Sequence, residues 1–133
     1  MIKKIRLIFC TLLTALITFT GASMANDSIP SIDAATLMQQ METEKKPFLL
    51  DVRQPREYAL NHIKGATLIP LGELPHRVSE IPKDTPIIVY CRSGNRSARA
   101  VSYLIDQGYS DIHNLTGGMI VWSRSCDDKK GVC

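Results

Sequence analysis

The segment Pro86-Ile87-Ile88-Val89-Tyr90 constrains this chain more than any other. Successive side chains of a strand point to opposite faces, so a strand with one wetted face alternates apolar and polar residues. This run does not alternate. It suits a strand covered on both faces, as in the middle of a parallel sheet. Parallel neighbours need crossover connections, usually helices, so strands and helices should alternate on either side of it.

They do. Ile29 to Ile32 contains Pro30 and reads as an edge strand. Asp33 is placed to cap a helix from Ala34 to about Glu44, with Leu37, Met38 and Met41 on one face. Phe48 to Leu50 is a strand running into Asp51-Val52-Arg53, and Pro55 can open a short helix through Leu60. Ala66 to Ile69 is apolar and is stopped by Pro70. Leu71, Leu74, Val78 and Ile81 show helical spacing, with Pro75 implying a break or a fresh start. Beyond Tyr90, Gly94 and Asn95 turn the chain into a helix from about Arg96 to Gln107. Its apolar stripe is Ala98, Val101, Leu104 and Ile105, and Gly108 is the stop. Ile112 to Leu115 is the last strand, followed by Gly117-Gly118 and a short helix near Trp122. The alternation predicts an α/β fold with a mostly parallel sheet flanked by helices. Sites in such sheets lie beyond the carboxyl ends of strands. Asp51 with Arg53 stands at one such end, and Cys91 to Ser97 at another.

The first 25 residues read as a separate targeting segment. Lys3, Lys4 and Arg6 precede an apolar run from Leu7 to about Phe19, and small residues follow up to Ser23-Met24-Ala25. That order marks a cleavable secretory signal, and the run is short of the roughly 20 residues a membrane-spanning helix needs. An uncleaved N-terminal anchor is the alternative. The expected location is periplasmic or secreted, with no stable membrane insertion after cleavage. The chain has 16 Lys+Arg against 13 Asp+Glu, and the leader holds three of the bases and no acid. The remainder is balanced at 13 of each, so no global basic field favours nucleic acid or an anionic membrane. One domain over residues 26–124 and a polar tail over 125–133 are expected. The sequence leaves the oligomeric state open, with a monomer as the default expectation. After cleavage Cys91, Cys126 and Cys133 remain, an odd number in an oxidising compartment.

Cys91-Arg92-Ser93-Gly94-Asn95-Arg96-Ser97 sits between the apolar strand and a helix N-terminus. Unpaired amides and the positive end of the helix dipole face such a loop. Gly94, and Asn95 to a lesser degree, can take the positive φ angles that turn successive amides toward one centre. Arg92 and Arg96 add full positive charge. Surroundings of this kind lower a thiol pKa from about 8.5 to between roughly 3.5 and 7.5, which makes the thiolate nucleophile dominant near neutrality.

Three separated segments resemble the signatures of the rhodanese family. Asp51-Val52-Arg53, Glu57-Tyr58 and His62-Ile63-Lys64-Gly65-Ala66 are similar to its leading signature, Cys91 to Ser97 to its active-site loop, and Gly117-Gly118 with Trp122 to its closing signature. The resemblance covers nearly all of residues 28–124, and with the leader the whole is most similar to small periplasmic rhodaneses of the phage-shock-protein-E kind. It implies about five parallel strands flanked by helices, and thiosulfate:acceptor sulfurtransferase activity through a Cys91 persulfide. The implied partners are a small anionic sulfur donor and a cyanide or thiol acceptor, with no metal or organic cofactor. Cys91 would carry the sulfur, and the amides of Arg92, Ser93, Gly94, Asn95 and Arg96 would cradle it. Arg92 and Arg96 would be anion-side groups. Asp51, Arg53 and Ser97 would support the site, while His62 and Trp122 would be structural.

Two other readings stay open at this level. A sulfur-delivery or binding module would share the site with little turnover of its own. A cysteine-dependent phosphatase or arsenate reductase is disfavoured, because Arg96 follows Cys91 by five positions where those phosphatases use six. Cys126 and Cys133 bracket a short polar stretch, and a local disulfide between them is expected. The alternative makes one of them a resolving thiol for Cys91.

Overall fold

The structure, a computed structural model, describes residues 28–126. The leader and Cys133 lie outside the described residues. Five strands form one sheet: β1 (Ser31–Ile32), β2 (Phe48–Asp51), β3 (Thr67–Leu68), β4 (Ile87–Tyr90) and β5 (Ile112–Leu115). Their spatial order is β1-β5-β4-β2-β3, and every pairing is parallel. The strand that never alternates is the central one. Strand β1 is at the edge and begins at Ser31, one residue after Pro30, whose carbonyl accepts the Asn114 N–H at 2.8 Å.

Helices α1 (Ala34–Met41), α2 (Pro55–Leu60), α3 (Leu74–Arg77) and α4 (Asn95–Asp106) make the connections, a 3₁₀ turn (Val78–Glu80) follows α3, and α5 (Gly118–Ser125) follows the last strand. They cover both faces of the sheet and so divide its core in two. Ile87, Val89 and Cys91 pack with Leu50, Leu74, Ala100, Val101 and Leu104 on the face covered by α3 and α4. Ile88 and Tyr90 pack with Leu37, Leu49, Leu115 and Trp122 on the face covered by α1 and α5. The two-residue period of β4 is intact, but each face meets apolar side chains. Burying each large side chain contributes about 1.5–3 kcal/mol, so both faces drive the fold.

Local signals account for most element boundaries. The Asp33 carboxylate accepts the Thr36 amide at 2.7 Å and caps α1. Pro55 opens α2, where the Glu57 carboxylate reaches back to the Gln54 amide at 3.0 Å. Pro75 falls in the first turn of α3 and so marks a fresh start, since an N–H there would have no helical partner.

Three details differ from expectation. Helix α1 ends at Met41 instead of Glu44, where the Glu42 and Thr43 amides fold back in tight bonds to Gln39 and Gln40. Helix α4 starts at Asn95 with Gly94 as its cap, and Gly94 alone takes the positive φ, at +100°; Asn95 does not. Its inward stripe is Ser97, Ala100, Val101 and Leu104, leaving Ile105 40 % exposed. Ser97, a polar residue that an apolar count misses, belongs to this inward face and turns its hydroxyl to the cysteine.

Candidate active site

Strand β4 delivers Cys91 to the sheet's carboxyl end, and α4 begins just beyond it. The Gly94 N–H donates to Cys91 Sγ at 3.1 Å, and the Ser97 hydroxyl donates at 3.4 Å. The positive φ of Gly94 permits this turn, because a side chain there would strain the backbone. Burial pushes the Cys91 thiol pKa up. The Ser97 hydroxyl and the amides of Ser97, Ser93 and Gly94 more than offset it, and the net shift is downward. Cys91 is only 1 % exposed, so a reactant must reach the sulfur through the mouth of this loop.

The opposite wall comes from the closing Gly-Gly segment. The Met119 N–H donates to the Cys91 carbonyl at 2.9 Å, and the Ile120 N–H to the Arg92 carbonyl at 3.1 Å. Such close approach needs Gly118, where a Cβ would collide with the Cys91 carbonyl oxygen and lie 2.8 Å from the Arg92 carbonyl carbon. Asn114 on β5 adds a brace that sequence reasoning did not single out. Its side-chain N–H donates to the Gly94 carbonyl at 3.2 Å, on the residue whose own amide faces the sulfur. The signal was present: Asn114 is a polar residue in a buried strand.

Asp51 and Arg53 form a buried pair at the carboxyl end of β2. Asp51 is fully buried and holds Arg53 Nη2 at 2.7 Å, with the Arg53 backbone N–H bound to the same carboxylate. Arg53 then donates to the Asn61 carbonyl at 2.7 Å and lies over the Tyr90 ring, tying β2, β4 and the end of α2 together. His62 stacks on Tyr58 at 3.8 Å, with Nδ1 2.9 Å from the Tyr58 carbonyl oxygen, a structural contact. Trp122 is a core residue.

The two loop arginines part company. Arg96 donates twice to the Glu57 carboxylate, at 2.8 Å each. Glu57, a residue the sequence offered only as part of a signature, is the main cause raising the Arg96 pKa; the Cys91 sulfur raises it as well, so Arg96 also faces the thiolate side of the site. The Arg96 hydrogen bonds are the main cause holding the Glu57 carboxyl down at about 2, against the opposing effect of burial. Arg92 is exposed, and no side-chain hydrogen bond or ion pair engages it among the described residues. It lines a recess of about 280 Å³ together with Arg53, Glu57, Leu60, Met119 and Ile120. Ser93 and Asn95 are exposed at the rim, and of the two only the Ser93 amide acts on the Cys91 sulfur; the expected cradle of amides from Arg92 to Arg96 is narrowed to Ser93 and Gly94, with Ser97 added from the first turn of α4. Cys91 is a free thiol, whereas Cys126 is disulfide-bonded, so Cys126 is not joined to Cys91. The expected partner of Cys126, Cys133, lies outside the described residues. Among the described residues no group of three or more His, Cys, Asp or Glu is placed to hold a metal.

A parallel five-stranded sheet with a hydrogen-bonded cysteine loop at its carboxyl edge defines the class, and the rhodanese-like domain family profile matches residues 33–125. The chain belongs to that family. It is 43 % identical over 96 residues to a sulfurtransferase of Allochromatium vinosum, covering 72 % of this chain and 90 % of that one. It is 37 % identical to the thiosulfate sulfurtransferase GlpE of Pseudomonas fluorescens, over 59 % of this chain and 72 % of the relative. The crystal structure of a rhodanese-like domain protein from Staphylococcus aureus matches with a TM-score of 0.68 and 33 % identity, covering 71 % of this chain and 91 % of that one. These likenesses support rhodanese-type sulfur transfer in general.

Proposed function

We propose that the protein moves sulfane sulfur from thiosulfate, or a similar donor, to a thiophilic acceptor such as cyanide or a thiol, through a Cys91 persulfide. The observation that carries this reading is the Gly94 amide and Ser97 hydroxyl converging on Cys91 Sγ at 3.1 and 3.4 Å. They stabilise a thiolate, and the same donors suit the charge of a terminal persulfide sulfur. The thiolate attacks the outer sulfur of thiosulfate, the sulfur–sulfur bond of the donor breaks, and sulfite leaves with the electron pair. The acceptor then attacks the terminal sulfur and Cys91 departs as thiolate. Because the cysteine holds the intermediate covalently, no cofactor enters. The leader pattern supports a periplasmic or secreted location.

Incubating the mature protein with thiosulfate should raise its intact mass by one sulfur atom. Cys91→Ser should abolish both the adduct and turnover. An adduct that persists in Cys91→Ser overturns the reading.

A further inference from the structure

Deepening the sulfur-transfer reading, and resting on it, we infer that Glu57 is a positioning residue for that chemistry: it holds the Arg96 guanidinium beside the cysteine loop and cancels its charge there. Arg96 stands between Gly94 and Ser97, the two residues whose donors meet Cys91 Sγ at 3.1 and 3.4 Å. An arginine carries five N–H donors in one rigid plane. The Glu57 carboxylate engages both terminal nitrogens at 2.8 Å, which fixes that plane and leaves the remaining N–H groups to face the sulfur. After Glu57, the Cys91 sulfur is a further group holding the Arg96 proton. Glu57 is itself tied down, because its carboxylate accepts the Gln54 N–H at 3.0 Å where α2 begins.

The other charges nearby do not undo this compensation. Arg53 reaches Glu57 from the end of β2 but is bonded to Asp51. The α5 residues facing the same recess, Met119, Ile120 and Ser123, are uncharged. Arg92 is the remaining cation of the loop and is exposed. The Cys91 thiolate is therefore stabilised by amide and hydroxyl donors more than by net charge. That balance suits a sulfur carrier. Cys91 is the nucleophile when the donor's sulfur–sulfur bond breaks, and the leaving group when the acceptor takes the sulfur. A more acidic thiol leaves faster but attacks more slowly, so an uncompensated Arg96 would favour unloading at the expense of loading.

The test follows alkylation of Cys91 in the mature protein by peptide mass across pH, with iodoacetamide as a neutral reagent. Glu57→Gln keeps the shape and one acceptor oxygen for Arg96 but deletes the charge. Its midpoint is expected about half a pH unit below wild type, the scale of one water-screened charge. Its plateau rate should fall about 1.7-fold, since nucleophilicity tracks thiol basicity. Glu57→Asp, which keeps the charge, should stay near wild type, and Arg96→Gln should move the midpoint upward. A merely structural tie predicts the opposite sign for Glu57→Gln, because loosening α4 withdraws the Ser97 donor. A Glu57→Gln midpoint at or above wild type overturns the inference while leaving the persulfide reading standing. A wild type that gains no sulfur from thiosulfate overturns that reading, and intact mass scores it separately.

Discussion

Glu57 and Arg96 are 39 residues apart in sequence, yet their side chains meet in a two-bond pair at 2.8 Å that fastens α2 to the start of the cysteine loop's helix. Both side chains are about a third exposed, so water screens the pair. Its stabilisation is on the order of 0.2–1 kcal/mol. The pair matters more for where it holds α4, and hence Ser97, than for its energy.

This pair has a definite pH signature. The folded-state pKa of Glu57 is depressed to about 2 from 4.5. Its contribution is complete above the unfolded value and is lost as pH falls through the folded one. Wild type and Glu57→Gln should therefore differ in thermal midpoint by a constant amount above about 4.5 and converge as pH drops toward about 2. Differential scanning calorimetry across that window is the check, and a gap that widens on acidification contradicts it.

The Cys91 thiol should titrate below the ordinary range of a free thiol. The rate of alkylation by iodoacetamide in the reduced protein should rise with pH and level off early. Ser97→Ala removes the 3.4 Å hydroxyl donor, and Asn114→Leu frees the Gly94 carbonyl from its brace. Both should move the midpoint upward, Ser97→Ala the more. Asn114→Leu should also cost about 1 kcal/mol for the lost hydrogen bond. A folded wild-type thiol that resists alkylation at neutral pH rules out the nucleophilic role.

Gly118→Ala places a Cβ against the Cys91 carbonyl in a backbone with φ of +53°. Strain of this kind is worth about 1–3 kcal/mol. Urea denaturation should report a loss in that range, and persulfide formation should fall as well, because the displaced segment is the one holding Cys91. Normal persulfide formation with normal stability would show that the close approach is dispensable.

Asp51→Asn leaves the buried Arg53 guanidinium without its counter-charge. Breaking a buried pair by removing one partner costs about 3–5 kcal/mol, an appreciable share of a small domain's stability. The thermal midpoint should drop sharply. Conservative replacement of Arg53 by Lys should recover little, since one ammonium cannot reproduce bonds to both Asp51 and the Asn61 carbonyl.

Local chemistry in the sequence determined a large part of this protein. The unbroken apolar run of β4, the edge proline at Pro30, the cap at Asp33 and the opening prolines of α2 and α3 each act within a few residues, so their consequences could be read in place. The cysteine loop was legible for the same reason, as a nucleophile, a turn glycine and a helix start adjoining along the chain. Tertiary structure alone decided the rest. Whether Arg96 or Arg92 keeps an open guanidinium depends on Glu57 arriving from a distant helix, and no local pattern encodes that distance. The inward place of Ser97 on α4, and the reach of Asn114 to Gly94, follow from how the sheet brings β5 beside β4. Such choices belong to packing, where the deciding contacts come from distant segments.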